Sequence, residues 1–339
     1  MKLAIITTLG SNSGDNFIYE GFKNLLPAKS FDSIFLIDKV DIPKSNLYKE
    51  FIDESNLIVI CGSPIFYDKC YRMKWQNNLL EYSKKTNKKI LLLAVGSNFK
   101  TSIDGLVFFP DVIQDENYKK FISRYNEISF SDFTVRDRYC LEFLTKAGFS
   151  NVKQIICPSI FAGNIDENKE ERDLIFIIWG GTYWNSDIPS QKVLEICKGV
   201  EKSLSSSTNK KIIWVCHDFE SYKELIKHIS KNNILFSNNY TDFFKYYTRC
   251  FFAFSVKVHG TMLLASMGVP SLLLQLDSRA GIIEQLNENY ATLSTPIEQL
   301  TDMCLEKIRE TDIYREKIIA LKSKYRQEYD LMLSRLGLI

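Results

Sequence analysis

The chain has 339 residues, of which 45% are hydrophobic and 25% charged, with a formal net charge of +2. That length exceeds what one hydrophobic core commonly serves, so two domains are expected. The balanced charge, without a long basic block, excludes the broad electrostatic footprint of a nucleic-acid-binding protein, and no apolar run is long enough to span a bilayer.

The opening segment MKLAIITTLGSNSGDN has one lysine, a short apolar run and no small-residue cleavage site. It reads as a first strand rather than a signal peptide. Apolar runs then predict strands at Leu3–Thr8, Ile34–Ile37, Leu57–Cys61, Ile90–Val95, Ile128–Phe130 and Val152–Ile156. Helical patterns fall between them, among them Phe17–Leu26, Met73–Lys84 and Asp137–Gly148. The polar stretch GNIDENKEERD, residues 163–173, has no apolar periodicity and reads as a linker. The alternation then restarts, with strands at Leu174–Trp179, Ile212–Cys216, Ile234–Phe236, Phe251–Val256 and Ser271–Leu276. Helices are expected at Gln191–Ser205, Phe219–Ile229, Asp242–Thr248, Thr261–Met267 and Ile282–Asn287, and a long amphipathic tail runs over Thr311–Leu336. The expected fold is α/β: two doubly wound, Rossmann-like domains facing a cleft. Residues 1–165 form the first and 172–339 the second, which carries the long C-terminal helix. The eight cysteines are scattered without a C-x-x-C pair. Buried, reduced thiols in a cytoplasmic protein are expected, and no metal site.

Ligands in such sheets bind outside the carboxyl ends of the strands, which selects the loops that matter. The first is SNSGDN, where Gly14 permits a tight turn, Asp15 follows, and Asn16 is placed to cap a helix. It is neither G-x-G-x-x-G nor a P-loop. Gly62 and Ser63 follow a buried strand, and a glycine there lets a ligand or another backbone approach. Arg136 precedes a helix, either as a fork for a carboxylate or phosphate or as the partner of Asp137. Gly180 and Gly181 open an aromatic loop, WGGTYW. In FSVKVHGTMLLASMGVP, residues 254–270, Lys257 and His259 lie two apart at a strand end and are expected on one side. Gly260 lets the next helix start close by, and its N–H groups favour an anion. Arg279 follows the next strand and could add a positive group. His217 is a weaker candidate.

Taken in order, these segments resemble the polysaccharide pyruvyl transferase family. The resemblance rests on SGDNFIYEGFKNLL, CGSP, FTVRDRYCLEFLTKAGF, CPSIF and above all VKVHGTMLLASMGVPSLLL, and covers nearly the whole chain. It implies a GT-B-like fold and transfer of a pyruvyl group from phosphoenolpyruvate to a sugar, with a ketal formed and phosphate released. By similarity, Arg136, Lys257 and His259 fall where the family binds the donor and moves protons. His259 would be the catalytic acid/base; Arg136, Lys257, Gly260 and Arg279 would hold the donor. Gly14, Asp15, Asn16, Gly62, Ser63, Gly180 and Gly181 would line the cleft, with the acceptor on the first domain. Lys257 stands where the family more often has Arg, and Arg279 near where it often has Lys. No cofactor beyond the donor is implied. The acceptor is a cell-surface saccharide or its lipid-linked precursor, met in the cytoplasm or at the inner face of the membrane through peripheral contact. Two other readings stay open: a glycosyltransferase using a nucleotide sugar, and a silent binding protein that keeps the fold.

Overall fold

The computed structural model describes residues 1–9, 13–27, 31–111, 114–128, 130–165, 172–180 and 188–339. The first half forms β1 (Lys2–Thr7), α1 (Ser13–Leu25), β2 (Ser33–Asp38), α2 (Leu47–Glu54), β3 (Leu57–Cys61), β4 (Pro64–Tyr67), α3 (Lys74–Thr86), β5 (Ile90–Asn98), α4 (Glu116–Asn126), β6 (Phe130–Val135), α5 (Arg138–Lys146) and β7 (Lys153–Gln154). The second forms β8 (Leu174–Trp179), α6 (Ser190–Ser207), β9 (Lys211–Cys216), α7 (Phe219–Leu225), β10 (Ile234–Phe236), α8 (Thr241–Tyr247), β11 (Cys250–Ser255), α9 (Val258–Ser266), β12 (Ser271–Leu273), α10 (Ile297–Arg309) and α11 (Thr311–Arg335). A 3-10 segment, Ser278–Leu286, takes the place of the helix expected at 282–287.

The strands pair into two parallel sheets. One is seven-stranded in the order β2-β1-β3-β5-β6-β7, with β4 beside β5; the other is five-stranded, β10-β9-β8-β11-β12. Strands buried on both faces explain the unbroken apolar runs LIVIC and LIFIIW. Each sheet reverses its strand order once, between β1 and β3 in the first and between β8 and β11 in the second. Loops at such a reversal diverge to opposite faces and leave a crevice at the carboxyl ends. The two crevices face each other, which makes the molecule a GT-B-like α/β protein.

The sequence pattern displaces several elements. The strand expected at Ile128–Phe130 begins at Phe130, because Ile128 closes the turn after α4. β4, α2, α4 and α10 have no counterpart in the expected pattern, although α4 buries Tyr118, Phe121, Ile122 and Tyr125 at i, i+3, i+4 and i+7. The long tail helix bridges the two domains. α11 lies against the first domain: Tyr329 Oη donates to the Ile156 carbonyl at 2.6 Å, and Arg326 reaches the carbonyls of Asn24 and Leu25. Its Tyr314, Ile318, Tyr325 and Met332 share one buried cluster with Leu3, Ile5 and Ile18 of the first domain and with Met262, Leu273 and Ile283 of the second. The seam between the sheets is therefore apolar core, and α11 is the strap across it.

A shared core couples the two halves in unfolding. Ile318→Ala removes a fully buried side chain from that strap and is expected to cost about 2–5 kcal/mol. Urea denaturation followed by fluorescence and circular dichroism should show one transition at a lower midpoint. Two separated transitions would contradict the shared core.

Candidate active site

A cleft of about 790 Å³ lies between the carboxyl ends of the two sheets. Asp15, Asn16 and Lys39 line it from the first domain; Lys257, His259 and Arg279 line it from the second. Two helix starts meet there. Ser13, the first residue of α1, donates from its N–H and its Oγ to the His217 carbonyl at 3.3 and 3.0 Å. A Cβ on Gly14 would lie 2.6 Å from His259 Nδ1, so only glycine lets α1 approach α9 this closely. Asn16 does not cap α1: the helix starts earlier, and Asn16 Nδ2 donates to the Leu9 carbonyl at 3.2 Å, tying down the end of β1.

The strand-end geometry expected for Lys257 and His259 is also corrected. β11 stops at Ser255 and α9 begins at Val258, so Lys257 is the N-cap residue and His259 lies in the first turn. Helical rotation, rather than strand alternation, aims both at the cleft. The helices α4, α5 and α7 each begin with an aspartate that accepts from a first-turn N–H. Lys257 has no acceptor to offer, so α9 meets the cleft with no side-chain cap from that position. Gly260 faces inward; its Cα packs over the His217 ring and Ile178. Gly180 packs its Cα against the Lys257 side chain. Gly181 lies outside the described residues.

Behind the cleft sits Arg136, fully buried at the end of β6. Its Nη1 donates to the Gly62 carbonyl and lies 3.1 Å from His259 Nε2. Its Nε and Nη2 are buried without a partner among the described residues. The guanidinium lies over Gly96, where a Cβ would come 2.5 Å from Nε. The ion pair considered with Asp137 is not formed: that carboxylate accepts from Ser97 N and Oγ at 3.0 and 2.7 Å and caps α5 through Cys140 N. Burial raises the Asp137 pKa against those bonds.

The Arg136 contact fixes the proton on His259. A guanidinium only donates, so Nε2 must present its lone pair, and the ring proton sits on Nδ1. Nδ1 faces Asp15 Oδ1 at 3.9 Å. Burial, then Arg136 and Arg279, holds the His259 pKa well below its ordinary 6.5. His259 is thus a neutral base with Nε2 toward Arg136.

Three further charges were not singled out from the sequence as site residues. Lys39, just past β2, donates to Ser63 Oγ at 2.6 Å and lies 3.9 Å from Asp15 Oδ2; burial lowers its pKa against the pull of Asp15 and Asp38. The carboxyl-end rule applied to β2 would have found it. Asp218 pairs with Lys257 Nζ at 3.2 Å while capping α7. Burial opposes its ionisation, but Lys257 and the Ser221 bonds together keep its pKa low. Asp277 takes Arg279 in a fork, Nε at 2.8 Å and Nη2 at 2.5 Å. His217, the weaker candidate, lines the cleft floor, with Nε2 2.7 Å from Tyr247 Oη; burial, then Lys257, pushes its pKa down to about 3.

The family model for polysaccharide pyruvyl transferases matches residues 12–278, a span that includes every one of these strand ends except those of β1. The chain belongs to the polysaccharide pyruvyl transferase family. Membership makes it a transferase of polysaccharide modification. No curated protein matches the sequence. Solved structures share the fold at low identity. Anabaena HepE in complex with UDP and glucose aligns over 98% of this chain and 99% of its own, at 11% identity and TM-score 0.55. A glycosyltransferase from Rickettsia africae aligns over 99% and 98%, at 14% identity and TM-score 0.52. UDP-GlcNAc 2-epimerase from Methanocaldococcus jannaschii, in complex with UDP-GlcNAc and UDP, aligns over 91% and 93%, at 11% identity and TM-score 0.53. Among the described residues no helix of this pyruvyl transferase family member is long and apolar enough to cross a membrane.

The two depressed histidines give a pH signature. Below pH 6.5 the unfolded chain takes up protons on His217 and His259 that the folded chain refuses. Their contribution to stability is complete above 6.5 and is lost as pH falls, for His217 down to about 3. Each adds a slope of up to about 1.4 kcal/mol per pH unit. Urea midpoints should fall steadily from pH 6.5 to 5, and His217→Asn should flatten the slope by about one proton. A midpoint independent of pH over that window would refute the neutral assignment.

Proposed function

We propose that the protein transfers the pyruvyl group of phosphoenolpyruvate to two hydroxyls of a saccharide, giving a cyclic ketal and inorganic phosphate. The observation that carries this reading is Arg136. Among the described residues it is a buried guanidinium with no carboxylate on it and two nitrogens without partners, set behind the start of α9 and against the base His259. Buried charge without a partner is costly, and a small polyanion supplies the missing countercharge. Phosphoenolpyruvate carries a carboxylate and a phosphate, suited to Arg136, to Lys257 and to the N–H groups of α9.

The chemistry balances as follows. C3 of the donor gains a proton, and C2 becomes electrophilic. A sugar oxygen bonds to C2, the C2–O bond to phosphate breaks, and a second sugar oxygen closes the ketal. Two hydroxyl protons are released; one replaces that taken up at C3 and the other leaves with phosphate. His259 Nε2 is the base for the attacking hydroxyl. Donor binding draws Arg136 Nη1 to the anion and frees the Nε2 lone pair that Arg136 occupies. Asp15 faces the opposite ring nitrogen and favours the imidazolium as it forms. Lys257 and the α9 N–H groups stabilise the departing phosphate. Arg279 is already held by Asp277, so it steers the donor and does not replace the fork lost where Lys257 stands for Arg. The scheme needs no cofactor. Within this reading the acceptor is a cell-surface polysaccharide or its lipid-linked precursor, reached at the cytoplasmic face of the membrane.

Calorimetry with phosphoenolpyruvate, beside UDP-, GDP- and CMP-sugars, tests the donor. Wild type should bind phosphoenolpyruvate, and Lys257→Ala should weaken it by about tenfold or more. Arg136→Met should abolish binding while leaving the melting temperature equal or higher, because it removes an unpaired buried charge. His259→Gln should keep binding and lose about 10²–10⁴ in turnover. Binding of a nucleotide sugar instead would make the protein a glycosyltransferase. Binding of neither would leave a non-catalytic member of the family.

A further inference from the structure

We infer that the second-domain lip of the cleft is a saccharide subsite, with Phe219 as its platform and Glu220 and Asn238 as hydroxyl partners. The inference rests on the protein acting on a sugar, and it moves the acceptor from the first domain, where the sequence placed it, to the second.

Phe219 is 54% exposed although it lines the same cleft as Lys257 and His259. Lys223 Nζ lies 6.0 Å from the ring centroid, and the rest of the ring is open to the cleft mouth. Its ring is held in place: Phe236 lies 6.0 Å away, and Phe236 stacks on Tyr222 at 4.8 Å and 15°. The platform thus keeps one orientation without a ligand, which lowers the ordering cost of binding. Glu220 and Asn238 stand beside it on the cleft wall. A pyranose has an apolar C–H face and a rim of hydroxyls. It fits a ring flanked by a carboxylate and an amide, the former accepting and the latter donating and accepting.

A nucleobase would also stack on Phe219, and the charge pattern decides against it. Each nearby cation has its carboxylate: Lys257 pairs with Asp218, and Lys223 with Glu220 at 3.7 Å. Phe219 is flanked in sequence by those same two carboxylates. A nucleoside diphosphate with its base on Phe219 would set its phosphates against Asp218 and Glu220 and would compete for Lys257 with the donor phosphate. A neutral sugar needs no cation. On the opposite lip the exposed apolar side chain is Val40, which has no flat face to offer.

Saturation-transfer NMR on the full chain, without donor, tests the subsite. The probes are methyl β-D-galactopyranoside, methyl β-D-glucopyranoside and the methyl glycoside of N-acetylmannosamine, with UDP as the nucleotide probe. At least one glycoside should bind wild type. Phe219→Ala should weaken it by about tenfold; Phe219→Trp and Val40→Ala should not, and UDP should not compete. Circular dichroism checks that each variant is folded. Glycoside binding unchanged in Phe219→Ala, lost in Val40→Ala, displaced by UDP, or absent from wild type would overturn the subsite. Failure of the donor reading is separable: Phe219-dependent glycoside binding in a protein that ignores phosphoenolpyruvate keeps the subsite and removes the pyruvyl donor.

Discussion

One contact organises this molecule: a guanidinium from the first domain against an imidazole from the second. Arg136 is fully buried with no carboxylate on it among the described residues, and its Nη1 meets His259 Nε2 at 3.1 Å. The contact determines the histidine's tautomer and adds to burial in depressing its pKa. It is also surrounded by glycines. Gly96 must leave room for the guanidinium, and Gly14 for the imidazole. Gly62, at φ +61°, turns its carbonyl onto Arg136. Gly96 and Gly14 thus follow from the two side chains they accommodate, and Gly62 from its positive φ and its close packing on Ile18.

That contact exists because two topological reversals face each other. β1 and β3 diverge in one sheet, β8 and β11 in the other, and each opens a crevice at the strand ends. The helices leaving those strands, α1 and α9, point their N-termini into the common space. Carboxylates temper the field that results. Asp15, Asp218 and Asp277 sit against Lys39, Lys257 and Arg279. Among the described residues, the one cation of the group without such a partner is Arg136, and it is the one most deeply buried.

The halves are also fastened by more than a hinge. Ser278 accepts from Phe99 N and lies 2.9 Å from Ser97 Oγ, and Thr101 Oγ1 donates to the Leu276 carbonyl. Gln285 donates to the Arg136 carbonyl, and Tyr325 on α11 donates to the Gln285 carbonyl. These bonds and the apolar core beneath α11 hold the floor of the cleft at one width. The open side, between Val40 and Phe219, is where a large acceptor can enter without parting the domains.

The sequence alone determined the α/β alternation, because strands buried on both faces are legible as short apolar runs. It also marked the strand ends that matter: Arg136, Lys257, His259 and the glycines near them stand just past those runs. Their family resemblance lies in the same segments. Other features only tertiary structure decided. Lys39 and Asp218 are ordinary surface-type residues until folding sets each within reach of a partner distant in sequence, and Asp277, whose partner Arg279 is two residues on, matters only because the fold brings Arg279 to the cleft. The start of α9 at Val258 came from packing, since the segment's small and apolar residues give no periodic signal. The tail helix is amphipathic toward any partner; only the shared core shows that it binds the first domain. Periodicity records which face of a segment is buried, whereas the identity of what buries it is a property of the assembled fold.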